Sequence, residues 1–224
     1  MVAAGWHAVS GWLLFALLAL LFWALVLPVV RGPLAPPPVV ASTGQPAPRA
    51  AEGPLDRALL TLAYSFAGLG YIVTATYLPV IARGALPAGS AWPDLFWPMF
   101  GGGVALGAYL STHVPAQWDR RKLLMAGYGI QALSIAISFV WPTPVGFALG
   151  SILLGLPFTT ITFFALQEAR RIWPAAISSF PGLLTAAYGL GQIVGPPMVA
   201  YMLAHTANTQ TGFAYGLAVA AGAL

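Results

Sequence analysis

The feature that most constrains the fold of this 224-residue chain is a series of long apolar runs separated by short polar segments. The first run, Gly11 to Val30, holds about 20 residues, the length an α-helix needs to cross the ~30 Å hydrocarbon core of a bilayer. Five further runs are long enough to cross and lie at about Ala58–Ile81, Trp92–Thr112, Leu123–Val140, Val145–Ala165 and Ala176–Leu203. A seventh run, Gly212–Leu224, is too short to cross. The pattern predicts an all-α membrane protein, a polytopic helical bundle of six full transmembrane helices and a partial seventh.

The composition indicates the same lipid environment. Hydrophobic residues make up 59% of the chain and charged residues 6%, with a mean hydropathy of +0.82. A water-soluble domain has about 25% charged residues, so this chain lacks the polar surface to cover a soluble globule. The net charge of +4 comes from residues in short segments between runs, and we therefore expect no nucleic-acid partner.

The basic residues indicate which way the chain lies in the membrane. The polar island Val114–Lys122 ends in Arg120, Arg121 and Lys122, and such a cluster beside two spans resists translocation. Counting segments alternately from the island places eight of the nine basic residues on one side, with only Arg83 on the other. The positive-inside rule predicts that the eight are cytoplasmic. Two predicted cytoplasmic loops, the island and the segment after the fifth run, carry the charged residues Asp119, Arg120, Arg121, Lys122, Arg170 and Arg171.

A stretch rich in proline and alanine, residues 31–57, divides the chain. Its prolines prevent a continuous helix and favour extended, solvated backbone, and its three arginines indicate a cytoplasmic location. We therefore expect a transmembrane helix within 1–30, this linker, and a bundle over 58–224. Alternate counting places Met1 outside and the last run stops short of a full span, so we expect further spans at both ends.

Three segments carry a resemblance to a known family. They are Ala67–Arg83 (AGLGYIVTATYLPVIAR), Gln167–Arg171 (QEARR) and Leu184–Pro196 (LTAAYGLGQIVGP). Together with the central linker and the basic island, they resemble the C-terminal half of a major facilitator superfamily transporter of the YbfB-like branch. The resemblance implies that the first helix corresponds to family helix six and the later bundle to helices seven to twelve, the last one truncated.

The loop motif of that superfamily, Gly-x-x-x-Asp-Arg-x-Gly-Arg-Arg, occurs here only in degenerate form. Gly107 leads the segment, Thr112 stands where the first acid is expected, and the charged run begins at Asp119. This departure gives no basis for transferring the gating salt bridge of the motif to this chain.

Pairs of glycines four residues apart recur in the predicted helices. Gly191 and Gly195, followed by Pro196, permit close helix approach and a break in the backbone hydrogen bonds, so packing and gating are equally good interpretations. Gly103 and Gly107 repeat the spacing, and for them we favour packing.

Polar side chains inside the apolar runs are the candidates for a substrate pathway, because each costs free energy in lipid unless it faces a cavity or a partner. Two pairs share a helix face by their spacing, Tyr64 with Tyr71 and Tyr188 with Gln192. The full set of pathway candidates is Tyr64, Tyr71, Thr74, Gln131, Gln167, Tyr188 and Gln192. Hydrogen bonding between helices without any ligand is the alternative interpretation.

The sequence offers little for enzyme chemistry. No apolar run holds a histidine or an acid near its middle that could activate a serine, and neither a His-Glu-x-x-His helix nor a nucleotide-binding glycine loop is present. The three histidines lie near the ends of runs, and the chain has no cysteine. We therefore expect no catalytic residue, no metal site and no cofactor.

These observations predict a secondary transporter of a small organic solute that works by alternating access in the bacterial cytoplasmic membrane. The uncharged pathway candidates favour a neutral or amphipathic substrate, and proton-coupled export fits as well as import. Besides lipid and substrate, the expected partner is a missing N-terminal half of the transporter. A non-transporting scaffold or a channel-like bundle is the alternative function.

Overall fold

The computed structural model describes residues 8–31, 53–115, 117–176 and 178–224. Over these residues the chain is helical and contains no strand, which confirms the all-α prediction. The helices are α1 (Ala8–Arg31), α2 (Pro54–Ala85), α3 (Trp92–Thr112), α4 (Arg120–Val140), α5 (Pro144–Ile172), α6 (Ser179–Ala204) and α7 (Thr209–Gly222). The chain divides into two compact units, Met1–Pro48 and Arg49–Leu224, which are described separately.

Five of the described helices are long and apolar enough to cross a membrane, namely α1, α2, α4, α5 and α6. The predicted count of six complete spans is not matched by this criterion. Helix α3 has the bounds that the sequence predicts, but its two prolines, its glycines and Asp94 lower its mean hydropathy. Helix α7 has 14 residues, about 21 Å of helix, which is shorter than the hydrocarbon core.

The first unit contributes a single described helix, α1. Large apolar side chains such as Trp12, Leu17 and Trp23 are exposed on it. A helix that is apolar on all sides is suited to a surrounding of lipid rather than water. Residues 1–7 of the predicted first helix and residues 32–52 of the predicted linker lie outside the described residues.

Several helix ends in the second unit differ from the predicted boundaries, and three of them have a clear local cause. Helix α2 begins at Pro54 instead of Ala58, because proline suits the first turn of a helix and Asp56 interacts favourably with the helix dipole there. Helix α4 begins at Arg120, and the Asp119 side chain caps it by accepting a hydrogen bond from the Arg121 backbone N–H at 2.9 Å.

Helix α5 continues past the end of its apolar run to Ile172. The sequence pattern predicts loops for the basic residues at 120–122 and 170–171, whereas the structure places them in the first turn of α4 and the last turns of α5. An arginine near a helix C-terminus stabilises the helix dipole, so the charged segment extends the helix instead of ending it.

Within the second unit, α2 packs against α6, and α3 and α4 pack against α5. Helix α7 packs against α2, α4 and α6. Three of these contacts correspond to one another if α2 is exchanged with α5, α3 with α6 and α4 with α7. Under this exchange, α2–α6 corresponds to α5–α3, α2–α7 to α5–α4, and α2–α3 to α5–α6. Among the described residues, however, the α6–α7 and α2–α4 contacts have no counterpart in α3–α4 and α5–α7, so the packing of the two sets of three helices is not equivalent.

Small residues allow the closest of these helix contacts. A Cβ atom on Gly107 would overlap the backbone carbonyl of Leu156, and one on Gly191 would overlap the carbonyl of Ser65. Lipid tails are as apolar as leucine, so helices in a bilayer associate through van der Waals packing of this kind rather than through the hydrophobic effect.

Candidate functional site

The described basic residues of the second unit, except Arg83, gather at one end of its helices, which we call the basic end. Helices α2, α4 and α6 begin at this end and α3 and α5 finish there, so depth in the bundle can be counted in residues from it. At 1.5 Å per residue, Tyr64 lies about 15 Å from the start of α2, Tyr128 about 12 Å from the start of α4, and Tyr188 about 14 Å from the start of α6. These three residues form what we call the tyrosine layer.

The members of the tyrosine layer come from three helices. The rings of Tyr64 and Tyr188 lie 4.9 Å apart between centroids, and the Tyr64 hydroxyl donates to Thr162 Oγ1 at 3.1 Å. The Tyr128 hydroxyl is buried and makes no hydrogen bond within the described part of the chain. The layer adds polar groups to an interior that also contains buried polar side chains such as Thr74 and Gln131.

Deeper in the bundle, three aromatic rings contact one another and form the aromatic triad, Tyr71 of α2, Phe100 of α3 and Phe158 of α5. Tyr71 lies 4.7 Å from Phe158 and 5.7 Å from Phe100, and the two phenylalanines are 5.7 Å apart. All three residues are half-buried. The Trp97 ring extends the group, 5.6 Å from Phe100.

Two of the predicted pathway residues have hydrogen bonds within the bundle. Gln131 is 3% exposed, and its Nε2 donates to the Ala67 carbonyl of α2 at 2.9 Å. The Thr74 hydroxyl is fully buried and donates to the Gly70 carbonyl one turn earlier in its own helix. These contacts brace α2 and α4, although Gln131 also lines a small gap beside Tyr71 and Tyr188.

Three other predicted pathway residues keep unused hydrogen-bonding capacity. The side-chain polar groups of Tyr71, Tyr188 and Gln192 are half-buried and bond to no other described residue. The structure brings Tyr64, Tyr71, Gln131 and Tyr188 into one neighbourhood, with Gln192 one turn beyond Tyr188 on α6.

Gln167 lies elsewhere, because its Oε1 accepts a hydrogen bond from Arg120 Nε at 2.7 Å at the basic end. Beside this pair lies an ion cluster of Asp56, Arg121, Glu168 and Arg171. Glu168 has a 3% exposed side chain and accepts from Arg121 Nε at 2.8 Å and from Arg171 Nη2 at 2.6 Å.

The ion cluster joins three helices. Asp56 of α2 lies 3.9 Å from Arg121 of α4, which in turn binds Glu168 of α5. A buried carboxylate is tolerated only when it is paired and hydrogen-bonded, and two arginines satisfy this one. Among the described residues, Lys122 and Arg170 are exposed and form no ion pair, and no group of three or more histidine and acidic side chains is arranged to hold a metal ion.

The predicted packing residues lie at helix contacts. Gly103 and Gly107 of α3 face the α5 backbone at Ile152 and Leu156, while Gly191 and Gly195 of α6 face α2. Helix α6 continues through Pro196 and Pro197, which lack the N–H groups for two of the backbone hydrogen bonds of the helix. The Tyr77 hydroxyl donates to the Pro196 carbonyl at 3.0 Å, which ties α2 to α6 at this point.

Sequence reasoning misses Phe100, Phe158, Tyr128 and the interhelical role of Glu168. Tyr128 precedes Gln131 by three residues, so its position on the same helix face is a signal that the sequence contains. The two phenylalanines carry no such signal, because an apolar ring that lines a pathway has the same sequence pattern as one that packs in a core.

Comparison with known proteins bears on the whole chain. A family model described as "Uncharacterised MFS-type transporter YbfB" matches residues 1–224. No curated protein matches the chain. The family agrees with the long apolar helices, and it indicates a transporter rather than an enzyme. The chain therefore belongs to the YbfB family of MFS-type transporters and is a multi-pass membrane protein.

Proposed function

We propose that the second unit forms one wall of the pathway of a secondary transporter that moves a small neutral or amphipathic organic solute across the bacterial cytoplasmic membrane. The observation that carries this proposal is the set of unpaired polar groups on Tyr71 of the aromatic triad, on Tyr188 beside it and on Gln192 one turn further along α6. Polar groups at membrane depth are costly unless they serve a partner or a pathway.

The proposal includes six complete spans and a partial seventh. Helix α3 is 21 residues long, about 31 Å, which equals the thickness of the hydrocarbon core. Its packing continues along α5 from the Gly155 contact with Phe100 to the hydrogen bond between Ser111 and Thr160 at 2.9 Å. A helix held so closely by a spanning neighbour crosses with it, whatever its mean hydropathy.

The basic end is proposed to be cytoplasmic and the end at Arg83 external, with α1 as a separate span and residues 31–57 as a cytoplasmic linker. Facilitator-type sites lie at the interface between two bundles that rock about a midplane site. The aromatic triad would therefore face a second bundle, which we propose is the N-terminal half of the transporter.

Flux measurements test the proposal. The chain and its N-terminal half would be reconstituted together in liposomes and offered a mixture of uncharged solutes from a bacterial extract, with accumulated solutes identified by mass spectrometry. A carrier gives saturable uptake and accelerates exchange when the same solute is on both sides. Flux without saturation or counterflow would assign a channel, and no flux would leave a scaffold and overturn the proposal.

The same assay tests proton coupling under a separate condition. An imposed pH gradient should drive accumulation of the identified solute if export is proton-coupled. The second unit has no acidic side chain near the middle of a described helix, so the coupling carboxylate would lie on the opposing bundle. Unchanged uptake with and without the gradient would exclude coupling.

A further inference from the structure

The aromatic triad combines three features that together restrict what it can bind. Its rings come from three different helices, so the position of each is set by tertiary packing rather than by local sequence. Each of the three residues is packed against neighbours without being fully buried. The ring centroids are 4.7 to 5.7 Å apart, the spacing at which aromatic groups attract one another.

The formal charges on either side of the triad are paired with one another. Glu168 lies ten residues beyond Phe158 along α5, about 15 Å, and is satisfied by two arginines. Toward the other end, Asp94 lies six residues before Phe100 along α3, about 9 Å, and is paired with Arg83 at 3.1 Å. A charged ligand at the triad would lose its hydration without meeting an unpaired opposite charge beside it, which is strongly unfavourable.

Hydrogen bonding is available beside the rings. The Tyr71 hydroxyl belongs to the triad itself, and Tyr188 lines the same narrow gap as Tyr71 and Phe158. Neither hydroxyl bonds to another described residue, and each can both donate and accept. A polar substituent on a bound ring would therefore find a partner there.

We propose that the aromatic triad recognises a flat, uncharged aromatic solute with a hydrogen-bonding substituent, and that Tyr71, Phe100 and Phe158 determine this specificity. This inference rests on the proposed transport pathway and narrows its substrate class. The ring of the solute stacks with the triad, and its substituent exchanges a hydrogen bond with Tyr71 or Tyr188.

Four probes with one carbon skeleton test the proposal. They are 2-naphthol, its saturated analogue decahydro-2-naphthol, naphthalene-2-sulfonate and trimethyl(2-naphthyl)ammonium. Binding to the 224-residue chain in lipid nanodiscs would be measured by equilibrium dialysis, with empty nanodiscs subtracted to remove partition into lipid. Saturable binding of 2-naphthol is expected, with affinity at least about tenfold above that of the other three, since a stacked aromatic pair accounts for roughly that factor.

Two variants and a control locate the binding. Phe158→Leu removes a triad ring at similar volume and should weaken 2-naphthol binding about tenfold, whereas Tyr71→Phe keeps the ring and should weaken it about threefold to tenfold. Phe163→Leu changes an exposed ring on the same helix and should leave binding unchanged. Thermal unfolding of each variant would verify that it is folded.

The outcomes separate this inference from the transport proposal. Equal binding of the saturated analogue, equal binding of either charged probe, no saturable 2-naphthol binding, or equal losses for Phe158→Leu and Phe163→Leu would each overturn the aromatic specificity. Saturable flux of a non-aromatic solute in the reconstituted pair would overturn it while supporting transport. Specific 2-naphthol binding without flux of any solute would instead overturn transport and leave the binding site.

Discussion

The ion cluster at the basic end and the aromatic triad deeper in the bundle use polar chemistry in opposite ways. In the ion cluster, the buried Glu168 carboxylate is matched by Arg121 and Arg171, and the contacts link helices. Around the triad, the nearest charges, Asp94 and Arg83, are paired with each other, and the Tyr71 and Tyr188 hydroxyls bond to no other described residue. Satisfied groups stabilise the bundle, and unsatisfied groups at depth are available to a ligand. This distinction predicts which substitutions reduce stability and which reduce binding.

The largest expected effect is the all-or-none difference in accessibility between the two ends. In the cysteine-free chain, Lys122→Cys at the basic end and Gly89→Cys at the opposite end are both on exposed positions. A membrane-impermeant thiol reagent applied to intact cells should label position 89 and leave position 122 unlabelled until the cells are permeabilised. Equal labelling of both in intact cells would contradict the assignment of the basic end to the cytoplasm.

The next largest effect concerns the ion cluster. Glu168→Gln leaves Arg121 and Arg171 without their buried counter-charge and should lower the free energy of unfolding by about 2–3 kcal/mol, less than for a fully buried pair because both arginines are partly exposed. The matched control is Asp94→Asn, whose pair with Arg83 is more than half exposed on both sides and should cost no more than about 1 kcal/mol. Denaturant unfolding in detergent micelles measures both, and equal costs would show that the cluster is not structural.

Close helix packing gives a comparable but smaller effect. Gly107→Ala places a Cβ against the Leu156 carbonyl and should destabilise the bundle by about 1–3 kcal/mol. Gly102→Ala, on the same helix, meets no atom within 4 Å and should be neutral or stabilise by up to about 1 kcal/mol through better helix propensity. A stable Gly107→Ala variant would mean that α3 and α5 can separate without cost.

The buried Tyr128 hydroxyl offers a test of opposite sign. Because it has no hydrogen-bond partner among the described residues, Tyr128→Phe removes an unsatisfied polar atom and should raise the free energy of unfolding by about 1 kcal/mol. Tyr64→Phe removes the hydroxyl that donates to Thr162 and should lower it by a similar amount. A loss of stability in Tyr128→Phe would reveal a hydrogen bond that stabilises the protein.

The smallest expected change in stability distinguishes two glutamines. Gln131→Leu breaks the hydrogen bond to the Ala67 carbonyl and should cost about 0.6 kcal/mol, the average for such bonds between membrane helices. Gln192→Leu breaks no hydrogen bond within the described residues, so its melting temperature should not change. If Gln192 lines the substrate pathway, the rate of transport by the reconstituted pair should fall in Gln192→Leu. Wild-type transport kinetics in that variant would contradict a pathway role for Gln192.

Much of the fold can be predicted from the chain alone, because the lipid core imposes helix lengths and excludes other backbone structure. The bounds of α3 agree with its apolar run, and each of the other runs overlaps one helix. The ends of α2 and α5 are less predictable. Proline at a helix start and charged residues that pair across helices extend both helices beyond the apolar segments that identify them.

The candidate site is predictable only where a residue is conspicuous by its polarity. Tyr64, Tyr71 and Tyr188 stand out in an apolar helix, and the structure places them together. Gln167 stands out equally but bonds to Arg120 at the basic end. Polarity marks a residue as unusual without indicating which neighbours it meets, since this depends on how the helices cross.

The sequence by itself determines that this chain is a bundle of membrane helices with most of its positive charge on one side. Helix length and charge placement follow from the bilayer, which acts on each segment independently. The tertiary structure alone decides that Glu168 joins α4 to α5, that Gln131 braces α2, and that Phe100 and Phe158 meet Tyr71. These contacts join residues far apart in the chain, and the shapes of glycine-lined helix surfaces determine which of them form.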